Sequence, residues 1–388
     1  MSAHAGSQPL FAFPTASRFN SGTMLQTPTR PDRAPLVSPG QSQLMPGDMT
    51  AIFAADVALA EAQAKLAKIG QWLPVDGHPD LPLGRLVEGD SSSPLRLGYG
   101  AWRDLLLGVQ FTNGSDQLIS AGGITMKNVA GYDLTKFMVG QHGVFGRIVT
   151  LATRTYRRPA GAIHAVFPWH GLPAQGVGAP PDQSPSEGKA SPHPGLLPMG
   201  AGGITHGLEA RAIGDGPGDI FPRLLPTSLR PQWSILTAGQ LLLGYVGNEA
   251  ALDYYERELA AIKSESFARQ TIEADMELRS GIWSGVNLEI RLPVELVRVS
   301  LAPSRLAAFI GALQPAHFAA DPAFGVIRLF DTPIDRVTPL LPSFAARAAA
   351  FDGRRLINYN VSPEEQDLLR RLKTAFDPDG RLTALEFA

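Results

Sequence analysis

Along residues 50–76 the apolar positions first run together and then spread to helical spacing. TAIFAAD (50–56) is a short, nearly continuous apolar run and predicts a buried strand. In VALAEAQAKLAKIG, the positions Leu59, Ala62, Leu66 and Ile69 line one face of a helix, with Asp56 as the expected N-cap and Gly70 just past the end. LLLGVQFTNGSDQLIS reads as a hairpin, two β-like runs flanking Asn113-Gly114. LTKFMVG is a short helix and FGRIVTLATRTYRR a long strand. Further on, QLLLGYVG, LEIRLPVELVRVSL, GVIRLF and RRLINYNV alternate as strands. EAALDYYERELAAI is a helix, and PEEQDLLRRLKTAF is an amphipathic one, with Ser362 as N-cap and Pro363 at N1. Short strands mixed with short helices predict an α+β fold rather than a regular βαβ series.

Two stretches break the pattern. Residues 1–46 are rich in Pro, Ser, Thr and Gly and read as irregular. Residues 171–231 are Pro/Gly-rich and read as a linker or long surface loop. Folded regions are therefore expected at 47–160 and 232–388, and a chain of 388 residues favours two domains.

Composition narrows the chemistry. The net charge of -2 argues against a broad cationic surface, so no nucleic-acid partner is expected. With no cysteine, the chain has no disulfide, thiol nucleophile or iron–sulfur ligand of its own. No run approaches the roughly 20 apolar residues of a membrane helix, so no transmembrane segment is expected. The start has no secretory signal pattern, and the chain is read as cytoplasmic, reaching the inner membrane face only through partners. The nicotinamide-type Rossmann fingerprint, the P-loop, the H-E-x-x-H zinc motif and the G-x-S-x-G elbow do not occur, and the eight histidines are scattered, so no metal site is expected.

What remains is RLGYGAWRDLLLGV followed by AGGITMKNVAGYDLTKFMVGQHGVFGRI. Gly98, Gly100, Gly122, Gly123 and Gly131 permit close approach of a flat ligand to the main chain. Exposed N–H groups in such loops can hold phosphate or a ring carbonyl. Arg103 can pair with a phosphate, or with Asp104 or Asp133, and Lys127 and Asn128 can orient a heterocycle. Gly140, Gly143 and Gly146 allow a second close approach. A plainer reading stands beside this one: glycine turns between strands, a structural Arg–Asp pair, solvated Lys127-Asn128 and Tyr132 as a core aromatic with a wet hydroxyl.

The same residues resemble the FAD-binding domain of the vanillyl-alcohol-oxidase/PCMH-type flavoproteins, most of all the FAD-binding subunits of bacterial glycolate oxidase and their D-lactate/glycolate dehydrogenase sisters. The family's Tyr-Gly-x-x-Arg-Asp, Gly-Gly, Lys-Asn-x-x-Gly-Tyr-Asp and Gly-Ser-x-Gly-x-x-Gly-Ile segments fall on Tyr99, Gly100, Arg103, Asp104, Gly122, Gly123, Lys127, Asn128, Gly131, Tyr132, Asp133, Gly140, Gly143, Gly146 and Ile148. Ser93 and Pro94 stand where the family has Ser-Gly-Pro. The match is sharp at 95–158 and 368–382 and looser elsewhere from residue 47.

The resemblance implies a PCMH-type FAD-binding domain at 47–160 and an α+β cap, or substrate, domain at 232–388. It implies FAD as cofactor, held by Ser93, Pro94, Tyr99, Gly100, Arg103, Asp104, Lys127, Asn128, Gly131, Tyr132, Asp133, Gly143 and Ile148. It further implies oxidation of a small 2-hydroxy acid such as glycolate or D-lactate by hydride transfer to the flavin, beside a sister flavin subunit and an iron–sulfur subunit. No residue is singled out as catalytic, and His142 is read as a surface loop histidine. The chain departs from the family at several points. The Arg-Gly-Gly-Gly-Thr-like pyrophosphate loop has no counterpart in residues 1–46, so the domain is expected to be N-terminally truncated. Gly84-Arg85 replaces Gly-Gly, Ser92-Ser93-Pro94 replaces Ser-Gly-Pro, Gly140-Gln141 replaces Gly-Ser, and Thr383-Ala384-Leu385 replaces Asn-Pro-Gly. A relative that keeps the fold without tight FAD binding, a structural subunit, is the alternative expectation.

Overall fold

Runs of apolar residues between Ser42 and Arg154 pair into one sheet, and those from Gly161 onward pair into a second, larger one. The computed structural model describes residues 35–90, 93–124, 134–169, 228–261, 266–284 and 296–388. In chain order the first part comprises β1 (Ser42–Met45), β2 (Thr50–Ala54), α1 (Leu59–Ala67), β3 (Gln71–Trp72), α2 (Leu83–Glu88), α3 (Arg96–Tyr99), α4 (Trp102–Leu105), β4 (Leu106–Thr112), β5 (Leu118–Gly122), α5 (Leu134–Phe137), β6 (Arg147–Arg154) and β7 (Tyr156–Arg157). Then come β8 (Gly161–Pro168), β9 (Trp233–Leu236), β10 (Gln240–Gly247), α6 (Glu249–Ala260), β11 (Ser266–Gln270), α7 (Ile272–Ser284) and β12 (Leu296–Ser300). The chain ends with α8 (Leu306–Leu313), β13 (His317–Asp321), β14 (Val326–Phe330), α9 (Ile334–Val337), β15 (Arg347–Phe351), β16 (Arg355–Tyr359), α10 (Pro363–Phe376) and β17 (Ala384–Phe387). Among the described residues no helix is long and apolar enough to cross a membrane.

The first sheet has the order β1-β2-β6-β4-β5, and every pairing in it is antiparallel. The second runs β11-β8-β10-β9-β13-β14-β12-β15-β16-β17, antiparallel except where β17 joins β16 in parallel. A two-stranded pair, β3 with β7, stands apart from both. This is the α+β fold expected.

The chain's end is tied back to the first sheet. Phe376, the last residue of α10, lies 6.1 Å from the Phe111 ring on β4 and 5.9 Å from Phe137 on α5. Leu356 of β16 joins the same apolar cluster as Phe53, Leu66, Trp102 and Leu151. So the face of the second sheet that carries Leu356 and Ala349 packs toward the first sheet. Its opposite face, with Ala348 and Ala350, packs on Phe309 and Leu313 of α8.

Several local expectations hold. Ser362 accepts the Glu365 N–H at 3.3 Å and caps α10, with Pro363 at the first helical position. Others need correction. Asp56 does not cap α1; that helix begins after Ala58, and the Asp56 Oδ1 accepts the Gly40 N–H at 2.9 Å instead. Residues 42–45 are not irregular: they form β1, an edge strand that β2 pulls into register. The hairpin is present, but its connection runs from Asn113 to Gln117 because Thr112 pairs with Leu118. Asn113 holds that loop by accepting the N–H groups of Ser115 at 3.0 Å and Gln117 at 2.9 Å. The predicted long strand breaks at Thr155, where β7 leaves the sheet to pair with β3. Most of the Pro/Gly-rich segment at 171–231 lies outside the described residues.

Candidate functional site

The expected site residues fall into two groups. Ser93, Pro94 and Tyr99 sit with a buried ionic cluster. The Ser93 hydroxyl donates to Asp76, and it accepts the Leu95 N–H at 3.0 Å. Asp76 in turn receives the Arg279 Nε at 3.2 Å, and Arg279 also pairs with Asp275 four residues before it on α7. Arg279, Asp275 and Asp76 are all buried. Tyr99 stands edge-on to Trp72 at 5.4 Å and to Tyr156 at 5.1 Å, and burial pushes its phenol up to about 12. Just beyond, Gly100 ends α3, and a Cβ there would lie 2.8 Å from the Asp104 Cβ. Asp104 is exposed and accepts the Ala101 N–H at 2.9 Å, closing the first turn of α4. Arg103 is exposed on the same turn.

The second group is the loop ahead of β6. Ile148 donates its N–H to Glu88 Oε1 at 3.0 Å, and Glu88 Oε2 accepts Arg85 at 3.2 Å. Burial pushes the Glu88 carboxyl up; the Ile148 and Arg85 contacts oppose that rise. Gln141, which stands where the resemblance expects Ser, is buried and staples the loop. Its Nε2 donates to the Gly146 carbonyl at 3.0 Å, and its Oε1 accepts the Phe145 N–H at 2.9 Å. Lys127, Asn128, Gly131, Tyr132 and Asp133 lie outside the described residues.

Do these residues fit FAD? A flavin cradle needs glycines that open onto free space. Gly143 has φ +80, and a Cβ there would sit 2.9 Å from the Thr383 hydroxyl, whose own N–H donates to the Gly143 carbonyl at 3.2 Å. Gly122 has φ +74, and a Cβ would lie 2.2 Å from the Leu107 carbonyl oxygen. At Gly146 it would meet the Phe111 ring at 2.6 Å. Ser93, the polar side chain nearest in sequence to the family's Ser-Gly-Pro position, is committed to Asp76. The described part of the glycine-rich stretch is therefore filled by the chain's own packing, and the described residues do not by themselves make a dinucleotide cradle. The Arg85 side chain, which stands where the resemblance expects a glycine, points largely to solvent and pairs with Glu88.

The open space lies next to this loop. A cavity of about 150 Å³ is bounded by Gly140 and His142 on one side, by Asp90 just past α2, and by β12, β14, β15 and β16 on the other. Its floor is a row of directly opposed residues across four strands. Arg328 on β14 faces Arg298 on β12, Arg298 faces Ala349 on β15, and Ala349 faces Asn358 on β16. Residues directly opposite each other share one face of a sheet. Ala349 is small, so the row leaves a hollow between the arginines and Asn358.

The charges in this hollow are unequal. Arg298 pairs with Asp90 Oδ2 at 2.7 Å. Arg328 lies 5.5 Å from the Trp283 ring, and its Nε is buried without a hydrogen-bond partner among the described residues. Burial first, then the Arg298 charge, brings Arg328 down to about 10, so it stays cationic at neutral pH. His142 packs 4.7 Å from the Phe351 ring. Burial, and then Arg298, takes it down to about 4, so the imidazole is neutral. Its reading as a surface loop residue is thereby corrected. The arginines escaped the sequence reading, yet a signal was there: LVRVS and VIRLF each place one lone cation inside an otherwise apolar strand.

The chain matches no family model. It is 32% identical over 108 residues to glycolate oxidase subunit GlcE of Escherichia coli, which covers 27% of this chain and 31% of that protein. Over 119 residues it is 26% identical to the mitochondrial D-lactate dehydrogenase [cytochrome] of Arabidopsis thaliana, covering 31% of the chain and 21% of the relative. Over 77 residues it is 35% identical to glycolate oxidase subunit GlcD of Bacillus subtilis, covering 20% of the chain and 16% of the relative. These matches thus span a third or less of each curated relative. In fold, two structures of alkyldihydroxyacetonephosphate synthase superpose on 87% and 88% of the chain, and on 64% of their own length, with TM-scores of 0.52 and 0.55 at 12% identity. The sequence similarity to GlcE, GlcD and D-lactate dehydrogenase agrees with the resemblance to the vanillyl-alcohol-oxidase/PCMH-type flavoproteins carried by the 95–158 segment, and the likeness of fold to alkyldihydroxyacetonephosphate synthase extends over most of the chain.

Proposed function

We propose that the chain is a subunit of a glycolate oxidase-like complex that oxidises a small 2-hydroxy acid, glycolate or D-lactate, and that its own part is to bind and orient the acid. The observation that carries this reading is Arg328, a cation whose buried Nε has no hydrogen-bond partner among the described residues, beside a cavity next to the Gly140–Ile148 loop. A guanidinium offers a carboxylate two parallel N–H donors, a match of geometry as well as charge. Asn358, three strands along the floor row from Arg328, has an amide that can bond the far end of the acid or its hydroxyl. Neutral His142 is a hydrogen-bond acceptor for that hydroxyl. With a value near 4 it is a weak base at neutral pH, so its role is orientation rather than proton removal.

FAD is the family's cofactor and supplies the oxidising chemistry where it binds. The residues proposed here for its ring end, Lys127, Asn128, Gly131, Tyr132 and Asp133, join Tyr99 and Gly100 in the motif. Its phosphate end would have to be held by groups other than the described glycines, and a sister flavin subunit is the proposed source. An iron–sulfur subunit is the proposed electron acceptor, since this chain carries no cysteine. A second reading is favoured by the filled glycines: a structural subunit that keeps the fold and does not hold FAD tightly.

One experiment separates the two. The complex, purified with its partners, is examined in the visible range and then mixed anaerobically with glycolate or D-lactate. Flavin bands that bleach on mixing support the first reading, provided the Arg328→Met complex bleaches more slowly. A flavin that bleaches equally in that variant assigns acid oxidation to the sister subunit and leaves this chain the structural role.

A further inference from the structure

Arg298 and Arg328 face each other directly across β12 and β14. Like charges in that register repel, and the arrangement persists only where other groups compensate. Each arginine has a different compensation. Arg298 has the Asp90 carboxylate at 2.7 Å, and Arg328 has the face of Trp283 at 5.5 Å. Asp90 itself takes an unusual backbone to reach the pair: at φ +41 it lies in the left-handed region immediately past the C-terminus of α2. Among the described residues that line the cavity, then, two cations and one anion leave a single positive charge, since His142 is neutral.

Size points the same way. A cavity of about 150 Å³ has room for several water-sized groups. That is the scale of a two- or three-carbon acid. A ligand with two carboxylates would bring its second charge toward Asp90, which already occupies Arg298, the other cation among the described lining residues.

We propose that Asp90 is a specificity-determining residue that sets the charge of the acid this cavity accepts: by occupying Arg298 it leaves Arg328 alone to bind, so the site takes a short monocarboxylate and turns away the corresponding dicarboxylate. The inference rests on the reading of the cavity as a small-acid site and adds to it which acids are refused and by which residue. Asp90→Asn removes the anion, keeps the shape, and suits the left-handed backbone, where Asn is among the most tolerated residues. It frees Arg298 and converts the cavity from one available cation to two.

The test is equilibrium binding of glycolate and of tartronate, which is glycolate with a second carboxylate, to the full chain, followed by calorimetry and by the fluorescence of Trp283 at the cavity wall. The wild-type protein is expected to bind glycolate at least tenfold more tightly than tartronate. Asp90→Asn is expected to raise tartronate affinity tenfold or more, closing or inverting that ratio, while Arg328→Met weakens both ligands. A wild-type protein that binds the two acids equally, or an Asp90→Asn protein in which both affinities move by one factor, overturns the proposal and leaves the small-acid reading standing. If neither acid binds the wild-type protein, the small-acid reading fails and takes the proposal with it. The wild-type ratio decides the matter even if the variant does not fold.

Discussion

The loop from Gly140 to Ile148 and the face of β12 and β14 border the same cavity and differ in how they present themselves. The loop is loud in sequence: three glycines, a family pattern, a histidine. In the fold its glycines serve the chain, since Gly143 backs onto Thr383 and Gly146 onto Phe111. The strand face is quiet in sequence, two arginines among valines, isoleucine and leucine. In the fold it carries the opposed charges and a buried Nε without a partner among the described residues. A glycine is demanded equally by a neighbouring ligand and by a neighbouring strand, whereas a buried cation on an apolar strand has few reasons to be there other than an anion.

That contrast can be broken most forcefully at Gly122. If its lack of a side chain serves packing, Gly122→Ala must push a Cβ into the Leu107 carbonyl and hold alanine at positive φ. The expected loss is about 3 kcal/mol or more, by the usual cost of overpacking and left-handed strain, read as a lowered denaturation midpoint of the chain without any ligand. An unchanged midpoint with weakened ligand binding would instead return the glycines to a cofactor.

Next in size is Arg328→Met. The expected loss is about 1.5–3 kcal/mol in glycolate affinity, the range for a charge-assisted hydrogen bond, with thermal stability unchanged or raised because the opposed cations are relieved. A stability loss without a binding loss would make Arg328 a structural residue and erase the difference between the two regions.

A smaller effect tests the tie between the regions at the chain's end. Asp377 is pulled below the usual carboxylate range: burial pushes it up, but hydrogen bonds from Lys373 at 2.5 Å, Leu382 at 3.0 Å and Arg381 at 2.7 Å outweigh that. A depressed folded-state value contributes stability that is present above the unfolded carboxylate value and is lost as pH falls through the folded one. Asp377→Asn is expected to cost about 1–2 kcal/mol at pH 7, with the gap to the wild-type protein narrowing below about pH 4. Urea midpoints at pH 7 and pH 3 that differ between the two proteins by the same amount would exclude this.

Much of the fold was legible because its elements are locally consistent. The apolar run of β2, the spacing of Leu59, Ala62 and Leu66, and the Ser362-Pro363 start of α10 each point to one structure. Where the reading slipped, a distant partner had decided the outcome. Asp56 looks like a cap and is instead claimed by Gly40; Asn113-Gly114 looks like a two-residue turn and is instead closed over by the tail. There Gly114 donates to the Phe376 carbonyl at 2.8 Å, and a Cβ would lie 2.1 Å from Asp377 Oδ1. The site was legible on one side only. Its loop carries a pattern in contiguous residues, while its floor is assembled from Arg298, Arg328, Ala349 and Asn358, which come together through strand register and have no short-range signature.

The central claim is that a small acid is held on the sheet face rather than among the glycines. A crystal structure of the protein with glycolate tests it most directly. The glycolate carboxylate is expected against the Arg328 guanidinium, within hydrogen-bond distance of Nε, with the hydroxyl toward His142 or Asn358. Glycolate bound elsewhere, with the Arg328 Nε still without a partner, would contradict it.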